Sequence, residues 1–260
     1  MTLPTLFLSH GAPDLLTSEV AARHFLENLG DQVPAPKFIA VASAHWCTQR
    51  TAVDVSAKPA TIHDFFGFGV DLERVTYAAR GAPEAARRTA ARLREHGIAC
   101  DERERGLDHG AWVPLKLAWP HADVPVFQVS LSPGLGPAHH LELGRALAPL
   151  AAEGGLVLGS GGAVHNLGAL GAKEPPWSRA FDDWLVAAVE SGDEEALVDF
   201  RERGPDAALA HPTDEHYLPL LVAFGAAGEG ARGRTLHRSF TYGTLSMTSF
   251  MLSSWRPPAG

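Results

Sequence analysis

Phe38-Ile-Ala-Val-Ala-Ser-Ala44 is an unbroken, largely apolar run that reads as a buried strand and stops at His45-Trp46. Working outward, Leu6-Phe-Leu-Ser9 is a second such run and stops at His10-Gly11-Ala12-Pro13, a turn by composition. Val126-Phe-Gln-Val-Ser-Leu131 and Leu156-Val-Leu-Gly159 read as further strands, the latter running into Ser160-Gly-Gly162. Between them, Ala22, Phe25, Leu26 and Leu29 recur at helical spacing, with Gly30 placed to cap that helix. Residues 83–96 form a predicted helix with Pro83 in its first turn and Gly97 after its end. Helices are also expected at 140–152, 179–190, 194–202 and around 217–224. Strand-like Ser239-Phe-Thr-Tyr242 and Leu245-Ser-Met-Thr-Ser-Phe250 close the chain. Short apolar strands alternating with helices imply an α/β class: a single-domain, three-layer αβα fold with a mixed, partly parallel central sheet. Residues 225–233 read as a flexible turn region too short for a linker, so residues 1–260 are expected to form one domain.

Composition narrows the function classes. The chain has 260 residues, 45% hydrophobic and 20% charged, which is globular rather than disordered. A chain of this length hides roughly 70–75% of its unfolded surface, enough for a core without staples. The net charge of −8 argues against nucleic acid as a partner, since phosphate neutralisation needs clustered Lys and Arg. No apolar run approaches the ~18 residues of a membrane span. The opening Met1-Thr-Leu-Pro4 lacks a basic region, so no signal peptide is expected. Cys47 and Cys100 are the only cysteines and form no CxxC pair, which suits a reducing cytoplasm. Cys47 itself reads as a small buried residue.

The chain has 13 histidines, and their positions are informative. His10 and His45 follow directly on predicted strands, and His165 lies just beyond another. Ligands of open α/β sheets bind at the carboxyl ends of strands, so these imidazoles are expected to share one crevice. Imidazole suits Zn, Fe, Cu or Ni and binds in its neutral form at neutral pH. His211-Pro-Thr-Asp-Glu-His216 adds two more histidines, with Asp214, Glu215 or His216 as a further candidate ligand. A single histidine near a strand end is usually a hydrogen-bond partner of the backbone; several together in turn-rich segments favour a shared metal. No HExxH spacing is present. His24, His63, His96, His121, His139, His140 and His237 read as ordinary solvated or half-buried positions. Gly159-Ser-Gly-Gly162 lacks the Gly-Lys-Ser/Thr ending and the GxGxxG spacing of phosphate loops. It reads as a tight turn admitting close backbone approach, and no nucleotide cofactor is expected. There is no GxSxG elbow to support a serine hydrolase.

At these same segments the sequence resembles a known family. The matching blocks are Leu8-Ser-His-Gly-Ala-Pro13, Ser43-Ala-His-Trp46, Ile62-His-Asp-Phe-Phe-Gly-Phe68 and Gly106-Leu-Asp-His-Gly-Ala-Trp-Val-Pro-Leu115. They continue with Pro125-Val-Phe-Gln-Val-Ser130, Gly159-Ser-Gly-Gly-Ala-Val-His-Asn-Leu167, His211-Pro-Thr-Asp-Glu-His-Tyr-Leu-Pro-Leu220 and Gly243-Thr-Leu-Ser-Met247. In this order they are similar to the class III (LigB-type) extradiol ring-cleavage dioxygenases, in the DOPA dioxygenase branch. The resemblance implies His10, His45 and His216 as metal ligands, with Glu215 and His211 as competitors for the third place. It implies His165 as catalytic acid/base and His109 as a second catalytic imidazole. It also implies one divalent metal, Fe(II) for activity with Zn(II) as an ion that can occupy the site, and a catechol and O2 as partners. His63 stands where that block more usually has tyrosine.

A facial triad leaves positions open for a catecholate and O2, and holding both on one ion makes their reaction effectively unimolecular. A positioned histidine can take a catechol proton and later return it. The implied product is a muconic semialdehyde. Trp46, Phe65, Phe66, Trp112 and Tyr217 are candidate pocket aromatics, and residues 61–68 a substrate-side loop. The alternatives are a zinc-dependent hydrolase using the same histidines, with His165 as base on a metal-bound water, and a non-catalytic metal-binding protein.

Overall fold

The structure is a computed structural model in which residues 3–69 and 71–254 are described; the opening Met1-Thr2 and the ends of the expected 1–260 unit lie outside them. The strands are β1 Thr5–Ser9, β2 Phe38–Cys47, β3 Thr51–Asp54, β4 Cys100–Arg103, β5 Val126–Leu131, β6 Gly155–Gly161, β7 Ala231–His237, β8 Phe240–Thr241, β9 Leu245–Ser246 and β10 Ser249–Ser254. The helices are α1 Ala21–Glu27, α2 Pro83–Glu95, α3 His109–Ala118, α4 Gly136–Leu147, α5 Pro176–Ser191, α6 Glu194–Val198, α7 Phe200–Arg203, α8 Ala207–Ala210 and α9 Leu218–Ala226. Eight strands form one sheet in the order β4-β3-β5-β2-β6-β1-β10-β7, and β8 pairs with β9 alone. Its centre, β5-β2-β6-β1, is parallel, while β10 and β7 join one side antiparallel and β3 meets β5 antiparallel. This is the mixed α/β fold expected from the sequence.

The central strands are apolar on consecutive residues because both faces are covered. Phe7, Ala40, Phe127 and Val157 face one core, shared with buried residues of α2, α4, α5 and α9. Leu6, Leu8, Ile39, Val41, Leu156 and Leu158 face the other, against α1 and α3. Successive side chains of a strand point to opposite faces, so each strand feeds both cores in alternation. Among the described residues no helix is long and apolar enough to cross a membrane.

Several local expectations shift. β2 runs on through His45 to Cys47, and its register against β5 breaks between Ala42 and Cys47, which frees His45 from the ladder. Cys47 is exposed rather than buried. α1 closes at Glu27, and Gly30 opens a short 3-10 turn instead of capping it. The 194–202 helix breaks into α6 and α7 at Asp199. The region read as a turn at 225–233 contains the start of β7, whose residues are only half-apolar because β7 lies at the sheet edge. Ser160 and Gly161 are strand, not turn. The expected close approach is nevertheless there: a Cβ on Gly159 would collide with the Pro219 carbonyl, and one on Gly161 with the His216 carbonyl. The glycines let the start of α9 lie directly on β6.

His140, read as solvated or half-buried, is fully buried. Its Nδ1 donates to the Gly136 carbonyl at 2.7 Å, and its Nε2 accepts the Ser132 N–H at 3.0 Å. Burial pushes its pKa down to about 4. Between the unfolded value near 6.5 and about 4, the unfolded chain binds a proton that the native ring refuses, so stability is full above that window and lost as pH falls through it. In His140→Gln, the slope of unfolding free energy against pH in the window should be shallower by about 1.4 kcal/mol per pH unit, measured by urea titration. Gly161→Ala should cost about 1–3 kcal/mol by overpacking, while Gly134→Ala, in open space, should be close to neutral.

Candidate metal centre and active site

The carboxyl ends of β1, β6 and β2 lie side by side, since β6 pairs with both neighbours in parallel. His10 is the first residue past β1, and its N–H extends the ladder to the Gly161 carbonyl at 3.0 Å. His45 sits at the register break of β2. His109 opens α3, whose N-cap Asp108 accepts the Ala111 N–H at 3.1 Å and is held by Ser43 Oγ at 2.6 Å and Arg105 at 2.8 Å. Capping thus fixes α3 to β2 and sets His109 over the strand ends. His165 follows β6, its N–H bound to the Ala210 carbonyl at 2.9 Å, and His216 precedes α9. All five histidines line one cavity of about 480 Å³.

The rings crowd together. His165 stacks flat on His216 with centroids 3.4 Å apart, and His45 lies 3.9 Å from His109. His10 lies 4.9 Å from His45 and 5.4 Å from His216, and His45 lies 5.0 Å from His216. One ring nitrogen each from His10, His45 and His109 falls within 4.8 Å of the others. Burial, reinforced by the neighbouring imidazoles, pushes His10 and His216 well below the usual histidine range. Burial also lowers His45 to about 3 and His165 to about 4. These rings are therefore neutral near pH 7, the form that binds metals.

Polar partners fix the tautomers. Ser160 Oγ donates to the Gly110 carbonyl, so it accepts from His10 Nδ1 at 3.0 Å and leaves His10 Nε2 as a lone pair. Asp64 Oδ1 accepts both the backbone N–H of His109 at 2.9 Å and its Nδ1–H at 3.0 Å. The other oxygen of Asp64 lies 3.7 Å from His45 Nδ1. Burial alone would raise the Asp64 carboxyl, but the bond and charge of His109 outweigh it and hold the group near 2, so it is ionised. Glu215 Oε1 accepts from His216 Nδ1 at 3.2 Å.

Among the described residues, the inner nitrogens of His10, His45 and His216 have no oxygen partner. His10 Nε2 and His45 Nε2 face each other at 3.0 Å, and His216 Nε2 is buried with no hydrogen-bond partner. Ring nitrogens crowded inside one cavity, two of them 3.0 Å apart and three within 4.8 Å of one another, are what a ligated cation relieves, so this donor set fits a divalent metal.

Other candidates separate. His211 is fully buried away from the cavity, with Nε2 donating to the Ala163 carbonyl at 3.0 Å and burial lowering it to about 3. Asp214 pairs with Arg201. Phe65 and Phe66 line the cavity, together with Phe68, so the 61–68 segment does reach the site. Trp46, Trp112 and Tyr217 belong to the core: Arg105 covers Trp46 at 5.1 Å, Trp112 Nε1 donates to the Ile62 carbonyl, and Tyr217 stacks on Phe200 at 3.8 Å. His63 donates to the Val75 carbonyl at 2.8 Å, tying down that segment. Sequence reading missed Asp64 and Ser160 as partners of the imidazoles; the only signal was their place inside the Ile62–Phe68 and Gly159–Leu167 blocks.

Comparison with known proteins agrees with this geometry. The profile described as the catalytic LigB subunit of aromatic ring-opening dioxygenase matches residues 5–252. Two proteins named 4,5-DOPA dioxygenase extradiol, from Beta vulgaris and Escherichia coli K12, are 41% and 36% identical to this chain; each alignment covers 96% of this chain, and respectively 96% and 94% of the relative. A crystal structure of an uncharacterized Escherichia coli K12 protein superposes with a TM-score of 0.80 at 33% identity, covering 96% of this chain and 99% of the other. The chain belongs to the LigB family of aromatic ring-opening dioxygenases. It is an extradiol ring-cleaving enzyme that acts on an aromatic substrate and O2, and nothing supports the hydrolase alternative.

Asp64→Asn removes the charge that His109 and His45 share. It should weaken metal binding or turnover by about 10–100-fold, read by metal titration of the apoprotein and by initial rates.

Proposed function

We propose that the enzyme opens a DOPA-like catechol beside its two hydroxyls, with both atoms of O2 entering a muconic semialdehyde product. The observation that carries this reading is the set of neutral imidazoles whose inner nitrogens converge in one cavity. The proposed metal ligands are His10, His45 and His216, with Fe(II) as the working ion and Zn(II) able to occupy the same place. The ion, when bound, supplies the electron-transfer and Lewis-acid chemistry that dioxygen insertion needs. His216 is preferred to His109 as third ligand because its Nε2 is buried and unpartnered, while Glu215 fixes its Nδ1. Glu215 itself acts as that partner rather than as a ligand.

His165 is the proposed acid/base. Neutral near pH 7 and stacked flat against His216, its ring can take a catechol hydroxyl proton and return it after ring opening. His109 bonds Asp64 through Nδ1, and its Nε2 is the proposed hydrogen-bond partner of a second substrate hydroxyl. Phe65, Phe66 and Phe68 supply apolar surface for the ring and exclude water. The whole chain is proposed to work as one catalytic unit in the cytoplasm, in keeping with its two free cysteines.

Anaerobic reconstitution with Fe(II), followed by catechols and O2, tests the reaction: stoichiometric oxygen uptake with a yellow product is expected, and no uptake from iron-loaded protein across the panel rules it out. His165→Ala should keep its metal and lose at least about two orders of magnitude in rate. His10→Ala, His45→Ala and His216→Ala should lose metal by elemental analysis, while His109→Gln should retain it. Metal loss in His109→Gln with retention in His216→Ala would exchange the two roles.

A further inference from the structure

We propose that this enzyme selects its substrate by charge, binding catechols whose side arm ends in an ammonium group through Asp14 and discriminating against arms that carry only a carboxylate. The inference rests on the ring-opening reading and deepens it. A second cavity, of about 300 Å³, adjoins the histidine cavity and shares Gly11 and Ala12 with it as a common wall. Asp14 is the one charged residue among its described lining, which also includes Leu15, Tyr242 and Met247. It stands four positions after His10, which keeps the two Cα atoms within about 14 Å even for an extended chain. A ring held beside His10 and an arm reaching round the Gly11–Ala12 turn would bring the end of the arm to this carboxylate.

The chemistry of the two cavities has one sign. The Tyr242 hydroxyl donates to the Asp14 carboxylate. Tyr242 is held in a left-handed conformation, φ 50°, by the N–H groups of Gly171 and Thr244, which both donate to its carbonyl. The neighbouring guanidinium, Arg179, lies over the Phe240 ring at 4.5 Å and is tied to Glu174. In the histidine cavity the charged lining residues are Asp64 and Glu215, again both acidic. Among the described residues neither cavity presents a lysine or arginine. A carboxylate arm would therefore lose water with no counter-charge to replace it, close to carboxylates of its own sign. An ammonium arm would meet a carboxylate, the usual partner of an organic cation. The relatives named for DOPA act, by those names, on a catechol that carries an ammonium group. An arm that carries the ammonium without a carboxylate should be accepted at least as well.

The test uses the Fe(II)-loaded full chain. kcat/KM is measured by oxygen uptake for 4-methylcatechol, dopamine, DOPA and 3-(3,4-dihydroxyphenyl)propionate. Calorimetry follows binding of tyramine and 3-(4-hydroxyphenyl)propionate, which are not catechols. Dopamine should exceed the propionate by at least about tenfold, mainly through KM, and tyramine should bind at least about tenfold more tightly than its acid counterpart. Asp14→Asn should shrink both ratios about tenfold, and Asp14→Lys should invert them. Equal constants for the two charge types in the wild type, or unchanged ratios in Asp14→Asn, overturn the proposal. If none of the four catechols is cleaved, the ring-opening reading fails, and the calorimetric pair still decides the charge selection.

Discussion

A protonated imidazole needs water or a carboxylate beside it, and the crevice beyond β1, β6 and β2 offers too little of either for each of five rings to carry a charge. His10 and His216 are buried to the point where they stay neutral well below the usual histidine range, and His45 and His165 follow the same rule. Enforced neutrality has two consequences. It leaves each ring one lone pair and one proton to place, and it makes a divalent cation the natural source of positive charge at the centre. Ser160, Asp64 and Glu215 settle the first matter by taking Nδ1 protons or lying beside Nδ1 on the outside of the cluster. The Nε2 atoms of His10 and His45 then meet inside the cavity, 3.0 Å apart.

The scaffold meets this constraint by bringing backbone unusually close to backbone. Gly159 and Gly161 let the start of α9 rest on β6, which delivers His216 to the strand ends. The N-cap Asp108 is buried and bonded at once to Ser43, Arg105 and its own helix, so the first residue of α3 has little freedom. Packing holds the other sides: the core that contains Leu6, Ile39 and Trp112 lies beneath α3, and the core that contains Phe7, Val157 and Phe224 lies beneath α9. The rings are thus positioned from both faces of the sheet rather than by a single loop.

How much of this the sequence displayed follows from which forces act locally. β5 was legible to the residue, because an apolar run between polar turns is a local signal. Cys100–Arg103 and Ala231–His237 were not, since edge strands carry polar residues and owe their pairing to partners far along the chain. The five histidines of the site were legible as strand-end and motif residues. The division of aromatics between pocket and core was not, since Trp112 and Phe65 stand in similar motifs and only tertiary packing sends one inward. Asp64 was hidden for a related reason: its importance lies in touching His109 and His45, contacts that no spacing encodes. His211 was the opposite case, a histidine in a conspicuous motif whose ring donates to a backbone carbonyl away from the cavity.

The outer carboxylates also set the field in which the chemistry takes place. Each imidazole that gives its proton to Asp64 or Glu215 becomes a more electron-rich donor at its other nitrogen, which favours a doubly charged ion at the centre. The same carboxylates, with Asp14 beyond the Gly11–Ala12 wall and a net charge of −8 on the whole chain, make the approach to that centre negative. A neutral or cationic catechol can enter that field with its hydroxyl protons still in place, whereas an anionic one must enter against it. In the proposed mechanism, proton removal then falls to His165 inside the cavity, after the substrate has been seated. The proposed charge selection and the proposed deprotonation draw on one arrangement: acids outside, bases inside, and a site for a cation between them.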